Sequence, residues 1–276
     1  MQRGWWLLPV LASIGCGRGP LWFFGGGDGD GVGGGTNDCD RADLLFVVDD
    51  SPSMQAHQRD LADNVPAFLE GVQRLVEGGT DLHVGVTTTD AYHGNAAPCD
   101  VLGGLVTATS GSHSSWSECG PFASGARYMT NADPLAEAFA CTAKVGTVGS
   151  TTERPLQAAA EALDPHGAAA SCNAGFRRRD ALLVLVLVTD EMDQSPGLSQ
   201  RWALDLRDSQ GGDDAVAVVS LIGDGDDCED TPSCYEPRVE AYTEIFAHGF
   251  VGSIDGDYAE HFDDAIDVVA AACAGD

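Results

Sequence analysis

Basic side chains are scarce in this sequence: 276 residues carry 14 Lys and Arg against 43 Asp and Glu, a formal net charge of -29. A surface so short of cations has little with which to neutralise phosphates or anionic headgroups. That argues against nucleic acid and against a polybasic membrane contact. The same excess of acid keeps a surface solvated and can concentrate divalent cations near it. Two hydrolase patterns are missing as well. No Gly-x-Ser-x-Gly elbow surrounds Ser51, and none of the seven histidines falls in a His-Glu-x-x-His zinc pattern. The apolar stretch Trp5 to Ile14 is too short to span a bilayer. The length allows one substantial core, and nothing in the chain demands two.

What is present begins with an export pattern. Met1 to Arg3 is a small positive start before the apolar stretch, and nine cysteines point to an oxidising compartment. Leu11-Ala12-Ser13-Ile14-Gly15-Cys16 resembles a bacterial lipoprotein signal with Cys16 as the acylated residue. Ser13 stands where that pattern has an aliphatic side chain, so ordinary cleavage and release is the alternative. The expected organisation is a signal over 1–16, a glycine-dominated tether over 17–38, and a folded domain over 39–276. Asp28-Gly29-Asp30 in the tether is not a calcium hand, because Val32 and Cys39 stand where oxygen ligands are needed.

Setting Cys16 aside leaves eight of the nine cysteines, an even number with on the order of a hundred pairings. Proximity in sequence suggests Cys99 with Cys119, Cys141 with Cys172, and Cys228 with Cys234. Cys39 with Cys273 would tie the two ends of the domain together.

Strand and helix patterns alternate along 39–276. Asp43 to Val48 is an apolar run stopped by acids and hydroxyls, which reads as a buried strand. Leu61, Val65, Phe68, Leu69, Val72, Leu75 and Val76 recur at helical spacing, with a kink or fresh start expected near Asn64 because of Pro66. Strands follow at 81–90 and, within a long polar insertion at 91–132, at 104–109. Helices are expected at 134–145 and 153–163. The unbroken run Leu182 to Val188 marks a central parallel strand buried on both faces. A helix at 198–208, a strand at 214–223, a helix at 237–247, an edge strand at 250–254 and a helix at 260–273 complete the pattern. This is a doubly wound, mostly parallel α/β sheet with helices on both faces.

At the carboxyl end of the first strand stands Asp49-Asp50-Ser51-Pro52-Ser53. One carboxylate and two hydroxyls at alternating positions can turn three oxygens to one point, and hard cations want oxygen ligands. Asp190 follows the later central strand and would arrive at the same sheet edge, where open α/β sheets bind ligands. The plain alternative for each is a turn or helix-cap residue. The run resembles the Asp-x-Ser-x-Ser motif of von Willebrand factor type A domains, with Pro52 where glycine is commoner. Asn173 to Ala181 and Val188 to Asp193 look like secreted or lipid-anchored bacterial proteins of that type.

The resemblance implies a metal-ion-dependent adhesion site. Asp49, Ser51, Ser53 and Thr151 would hold magnesium directly or through water, with calcium or manganese possible, and Asp190 would act mostly through water. Thr152 is the other candidate for the threonine, and Glu153 would lie in the first turn of the next helix. One metal position would stay open for an acidic side chain of an unknown partner protein. The loop from Asp224 to Asp230 would flank this site and is a candidate second cation site. The implied function is a non-enzymatic protein-binding module on the bacterial envelope, anchored through Cys16 to what would be the outer membrane, or secreted. A metal-free scaffold and a hydrolase using Ser51 are the rivals. His57 is expected to be an exposed helix residue, and Arg177 to Arg179 a partner contact or an acid-paired face.

Overall fold

The computed structural model describes residues 39–75, 79–225 and 235–275. The signal with Cys16, the glycine-rich tether, Val76, most of the 224–230 loop and the Cys228–Cys234 pair lie outside the described residues.

Two strands carry the architecture because they have no polar face. In β1 (Arg41–Val48) every residue after Arg41 is buried, and all of β4 (Leu182–Thr189) is buried. They pair in parallel, with Val48 opposite Val188. Parallel strands need helices on both sides, and the alternation along each strand decides which residues meet which layer. Leu44, Phe46, Val48, Val184 and Val186 pack with α1 (Gln55–Gln73), α2 (Leu135–Ala143) and α6 (Tyr258–Ala274). Leu45, Val47, Leu183, Leu185 and Leu187 pack with α3 (Pro155–Leu163), α4 (Ser199–Gln210) and α5 (Pro237–Thr243).

With β2 (Asp81–Thr88), β3 (Met129–Thr130), β5 (Val216–Ile222) and β6 (His248–Ser253), the sheet runs β3-β2-β1-β4-β5-β6. All neighbours are parallel except β3, which pairs antiparallel with β2. The chain is thus a doubly wound α/β sheet whose order reverses between β1 and β4.

Several expectations need correction. The segment 104–109 is not a strand. Val106 donates to Val86 O at 2.8 Å and Ala108 forms a lone bridge with Glu118, while the edge strand is the two-residue β3. Pro66 does not break α1 into two, since one helix runs through it. The insertion at 91–132 is packed against the body. Asn95 binds Leu105 O at 3.2 Å and accepts from Arg127 at 2.7 Å, and Asn173 reaches back to Gly103 O at 2.8 Å.

Cys99 pairs with Cys172 and Cys119 with Cys141, so two of the neighbour pairings are wrong. Chain proximity misled because the insertion folds back over the body between its own cysteines. The Cys39–Cys273 pairing is as expected.

Arg177 and Arg178 are not free for a partner. Arg177 binds Gln210, Ser209 and Leu163 O. Arg178 holds the starts of β1 and β2 together: its Nε donates to buried Asp43 at 2.7 Å and its Nη1 to Asp81 at 2.6 Å. Burial pushes Asp43 up to about 6, against the lowering pull of Arg178. Removing the guanidinium would strand a buried carboxylate. Arg178→Ala is therefore expected to cost about 3–5 kcal/mol at about pH 8 and less at about pH 4, where Asp43 is protonated and the uncompensated charge is gone. In the parent chain a carboxyl shifted upward contributes stability that is lost as pH rises from the ordinary 3.8 through about 6. Urea unfolding of Arg178→Ala and Asp43→Asn at both pH values checks this, Asp43→Asn flattening that part of the profile.

Candidate functional site

The site is built where β1 and β4 end side by side. Asp49 continues the ladder for one residue, its amide donating to Val188 O at 3.0 Å. The chain then turns through a short 3-10 segment, Pro52–Met54, into α1, so Ser51 and Ser53 are presented just beyond the strand end. Proline is at home in such a first turn, where its missing N–H is not needed. Buried Gln58 on α1 clamps this turn, donating to Asp49 O at 2.9 Å and Gly146 O at 2.8 Å while accepting from Gly146 N at 3.1 Å.

Four of the five expected residues are brought together. Asp49 is fully buried; one carboxylate oxygen accepts from Ser51 N at 2.7 Å and the other from Thr189 Oγ1 at 2.6 Å. The Ser51 hydroxyl lies 3.3 Å from that of Ser53 and 3.5 Å from Asp190 Oδ1. Asp190 is fully buried, and its Oδ2 has no hydrogen-bond partner. Burial raises the pKa of both Asp49 and Asp190 above the ordinary carboxylate range. His57 is half-buried rather than exposed, with Nε2 3.8 Å from Asp255, and its charge would pull Asp190 back down.

Thr151 is not brought in. It and Thr152 are exposed, and neither side chain makes a hydrogen bond among the described residues; Thr151 is engaged through its carbonyl, which accepts from Gln194 at 3.2 Å. The residue of that loop that turns inward is Glu153. It is fully buried, takes a hydrogen bond from Thr89 Oγ1, and has an unpartnered Oε1. It also precedes α3, which starts at Pro155, so it is not a first-turn acid. Burial, then the charge of Asp49, push its pKa up.

Sequence reasoning also passed over Asp50 and Asp90. Asp50 is 1% exposed and both of its carboxylate oxygens lack partners. Burial, then Asp90 and Asp49, push it up to about 8. Asp90, just past β2, accepts from Ser150 N at 2.8 Å. The available signal was the tandem Asp49-Asp50, since alternate residues at a strand end point to opposite sides.

The oxygen set of Asp49, Ser51, Ser53 and Asp190 suits a hard divalent cation, and the unpartnered Asp190 Oδ2 is the atom such an ion would satisfy. Among the described residues no three His, Cys, Asp or Glu side chains already converge on a metal position. A site made of two carboxylates and two hydroxyls does not require that. Of the 224–230 loop only Asp224 and Gly225 are described.

No protein-family model and no curated protein matches the chain. Among solved structures, proximal thread matrix protein 1 from the mussel byssus is similar at 15% identity, over 83% of this chain and 48% of that one, with a TM-score of 0.47. A form of it has a zinc-occupied MIDAS motif. A von Willebrand factor type A protein from Catenulispora acidiphila is similar at 16% identity, over 84% and 42%, with a TM-score of 0.41. The pilus adhesin SpaC of Lactobacillus rhamnosus GG is similar at 14% identity, over 83% and 30%, with a TM-score of 0.44. The chain thus spans less than half the length of each. No residue role passes from them to this chain, and the fold stands on the sheet order itself.

Gly149 closes the wall around Asp50: its amide donates to Asp50 O at 2.9 Å, and an added Cβ would lie 2.4 Å from Asp50 Cγ. Gly149→Ala is expected to destabilise the fold by about 1–3 kcal/mol, the usual cost of overfilling a packed site, read from the shift in urea midpoint.

Proposed function

We propose that the chain is a metal-dependent protein-binding module of the adhesion type. Asp49, Ser51 and Ser53 would hold a divalent cation, magnesium first and calcium or manganese as alternatives, with Asp190 reaching it through water. When bound, the ion offers a coordination position to an acidic side chain of a partner protein. The observation that carries this reading is the buried Asp190 carboxylate, whose Oδ1 lies 3.5 Å from the Ser51 hydroxyl and whose Oδ2 has no hydrogen-bond partner. Thr189 and the Ser51 amide orient both Asp49 oxygens, and Gln58 holds the turn, so these ligands are positioned before any ion arrives. Thr151 would be the fifth ligand by an inward turn of the loop before α3.

The three disulfides among the described residues fit an oxidising compartment. We place the module outside the cytoplasm as residues 39–276, with 91–132 as its insertion, behind a signal at 1–16 and a tether at 17–38 that anchors it to the membrane through Cys16 or releases it. The exposure of Thr151 favours one rival, a metal-free envelope scaffold that keeps the fold and uses another face.

Magnesium titration calorimetry on the full chain separates them. Saturable binding that is lost in Asp49→Ala is the expected outcome. A parent chain that releases no heat of binding, and captures the same partners with and without chelator, would favour the scaffold.

A further inference from the structure

The insertion holds an apolar side chain in water on a loop that is otherwise tied down. Trp116 is 70% exposed, and it and His113 are the two residues other than glycine with positive φ among the described residues, at 50° and 65°. That conformation is costly for a bulky residue, so its surroundings must impose it. Trp116 N donates to Ser114 Oγ at 3.2 Å, and Thr109 N donates to Ser117 O at 2.9 Å. Ser115 N donates to Lys144 O at 3.1 Å and its hydroxyl to Cys141 O at 2.9 Å. His113 Nδ1 lies 2.8 Å from Thr147 Oγ1, and the Cys119–Cys141 bond ties the end of the loop to α2. All of this leaves the indole uncovered. Fixing an indole in water gives the fold nothing, whereas an exposed Trp on a tethered loop loses little freedom on contact and is a common anchor of protein interfaces.

Lys144, whose carbonyl holds Ser115, supplies charge beside the indole. It is the only lysine in the sequence, is half-buried, and is in no ion pair among the described residues. As the residue that ends α2 it suits the helix dipole, which leaves its ammonium free to meet an acid. Residues 146–149 then connect this loop to the turn after β1. Thr147 N donates to Ser112 O at 2.9 Å on one side, and Gly149 N donates to Asp50 O at 2.9 Å on the other. Ser112 and Asp50 are thus two hydrogen-bonded backbone spacings apart, about 10 Å. Val148, another exposed apolar side chain, stands on the crossing between them.

We propose that the 109–117 loop with Lys144 is a second contact for the partner whose acidic side chain the metal would hold, an inference that rests on the metal-dependent reading above. Trp116 covers an apolar side chain of the partner, and Lys144 meets a further acidic one. The segment that fits is therefore acidic and extended, with an apolar residue about three to six positions from the acid at the metal. Charge complementarity selects it: on a surface of this net charge an acidic segment is repelled except where a cation answers it, and the metal position and Lys144 are two such places.

The test titrates the full chain in magnesium against short labelled synthetic peptides, read by fluorescence anisotropy. The probe peptides carry an Asp, a Phe about three to six residues after it, and a second Asp beyond the Phe. Control peptides carry Gly for the Phe or Asn for the second Asp. The parent is expected to bind the probe at least tenfold more tightly than either control. Trp116→Ala is expected to abolish the preference for Phe, Trp116→Phe to keep it, and Lys144→Gln to abolish the preference for the second Asp. All three variants are expected to melt with the parent, since neither side chain is in the core. The proposal is overturned if the parent binds probe and controls alike or binds none of them, or if Trp116→Ala and Lys144→Gln keep both preferences. Preferences that persist in chelator and in Asp49→Ala would support the platform and sink the metal reading, whereas magnesium-dependent binding without them would do the reverse.

Discussion

Taking a carboxylate out of water costs several kcal/mol unless something answers its charge, and this chain buries five of them, Asp49, Asp50, Asp90, Glu153 and Asp190, at one edge of its sheet. The rest of the structure is arranged so that this edge can exist. Two strands buried on both faces carry Asp49 and Asp190 to the same place, and six helices cover those faces so that the strand ends, not their flanks, are where polar groups collect. At the opposite edge the answer to the same problem is internal: Arg178 meets buried Asp43 directly. At the carboxyl end Arg238 meets buried Asp193 in the same way, but among the described residues no arginine or lysine pairs with Asp49, Asp50, Glu153 or Asp190.

Much of the fold was legible because its signals are local. The runs Asp43 to Val48 and Leu182 to Val188 are apolar without alternation, which only a strand covered on both sides tolerates, and α1, α3 and α6 have apolar residues at helical spacing. β3 was not legible, because two residues carry no periodicity and their pairing with His83 and Val84 is made only in the folded chain. The disulfides were half legible for a related reason. Cys39 and Cys273 flank the first strand and last helix, which any compact sheet brings near each other, whereas Cys99 and Cys119 look like partners only if the insertion closes on itself.

The candidate site divides in the same way. Asp49, Ser51, Ser53 and Asp190 follow from strand ends, and strand ends were placed to within a residue or two. Asp50 read as the variable letter of a pattern, yet its side chain is forced inward by the turn that turns Ser51 toward Asp190. Glu153 read as an acid favoured by a helix start, but Pro155 begins α3 two residues later and the chain before it is extended across Thr89. Which way a loop residue faces depends on what it crosses, and that is a tertiary fact.

The Cys39–Cys273 bond closes the described fold just before β1 begins, while Asp49 lies at the far end of that strand, eight strand residues away or about 26 Å. Any tension between residue 39 and the strand end would therefore run lengthwise down the central strand. Parallel neighbours on both sides load their hydrogen bonds together in shear, and the covalent closure stops the last helix from peeling away first. A fold gripped at these two points resists pulling along its stiffest direction.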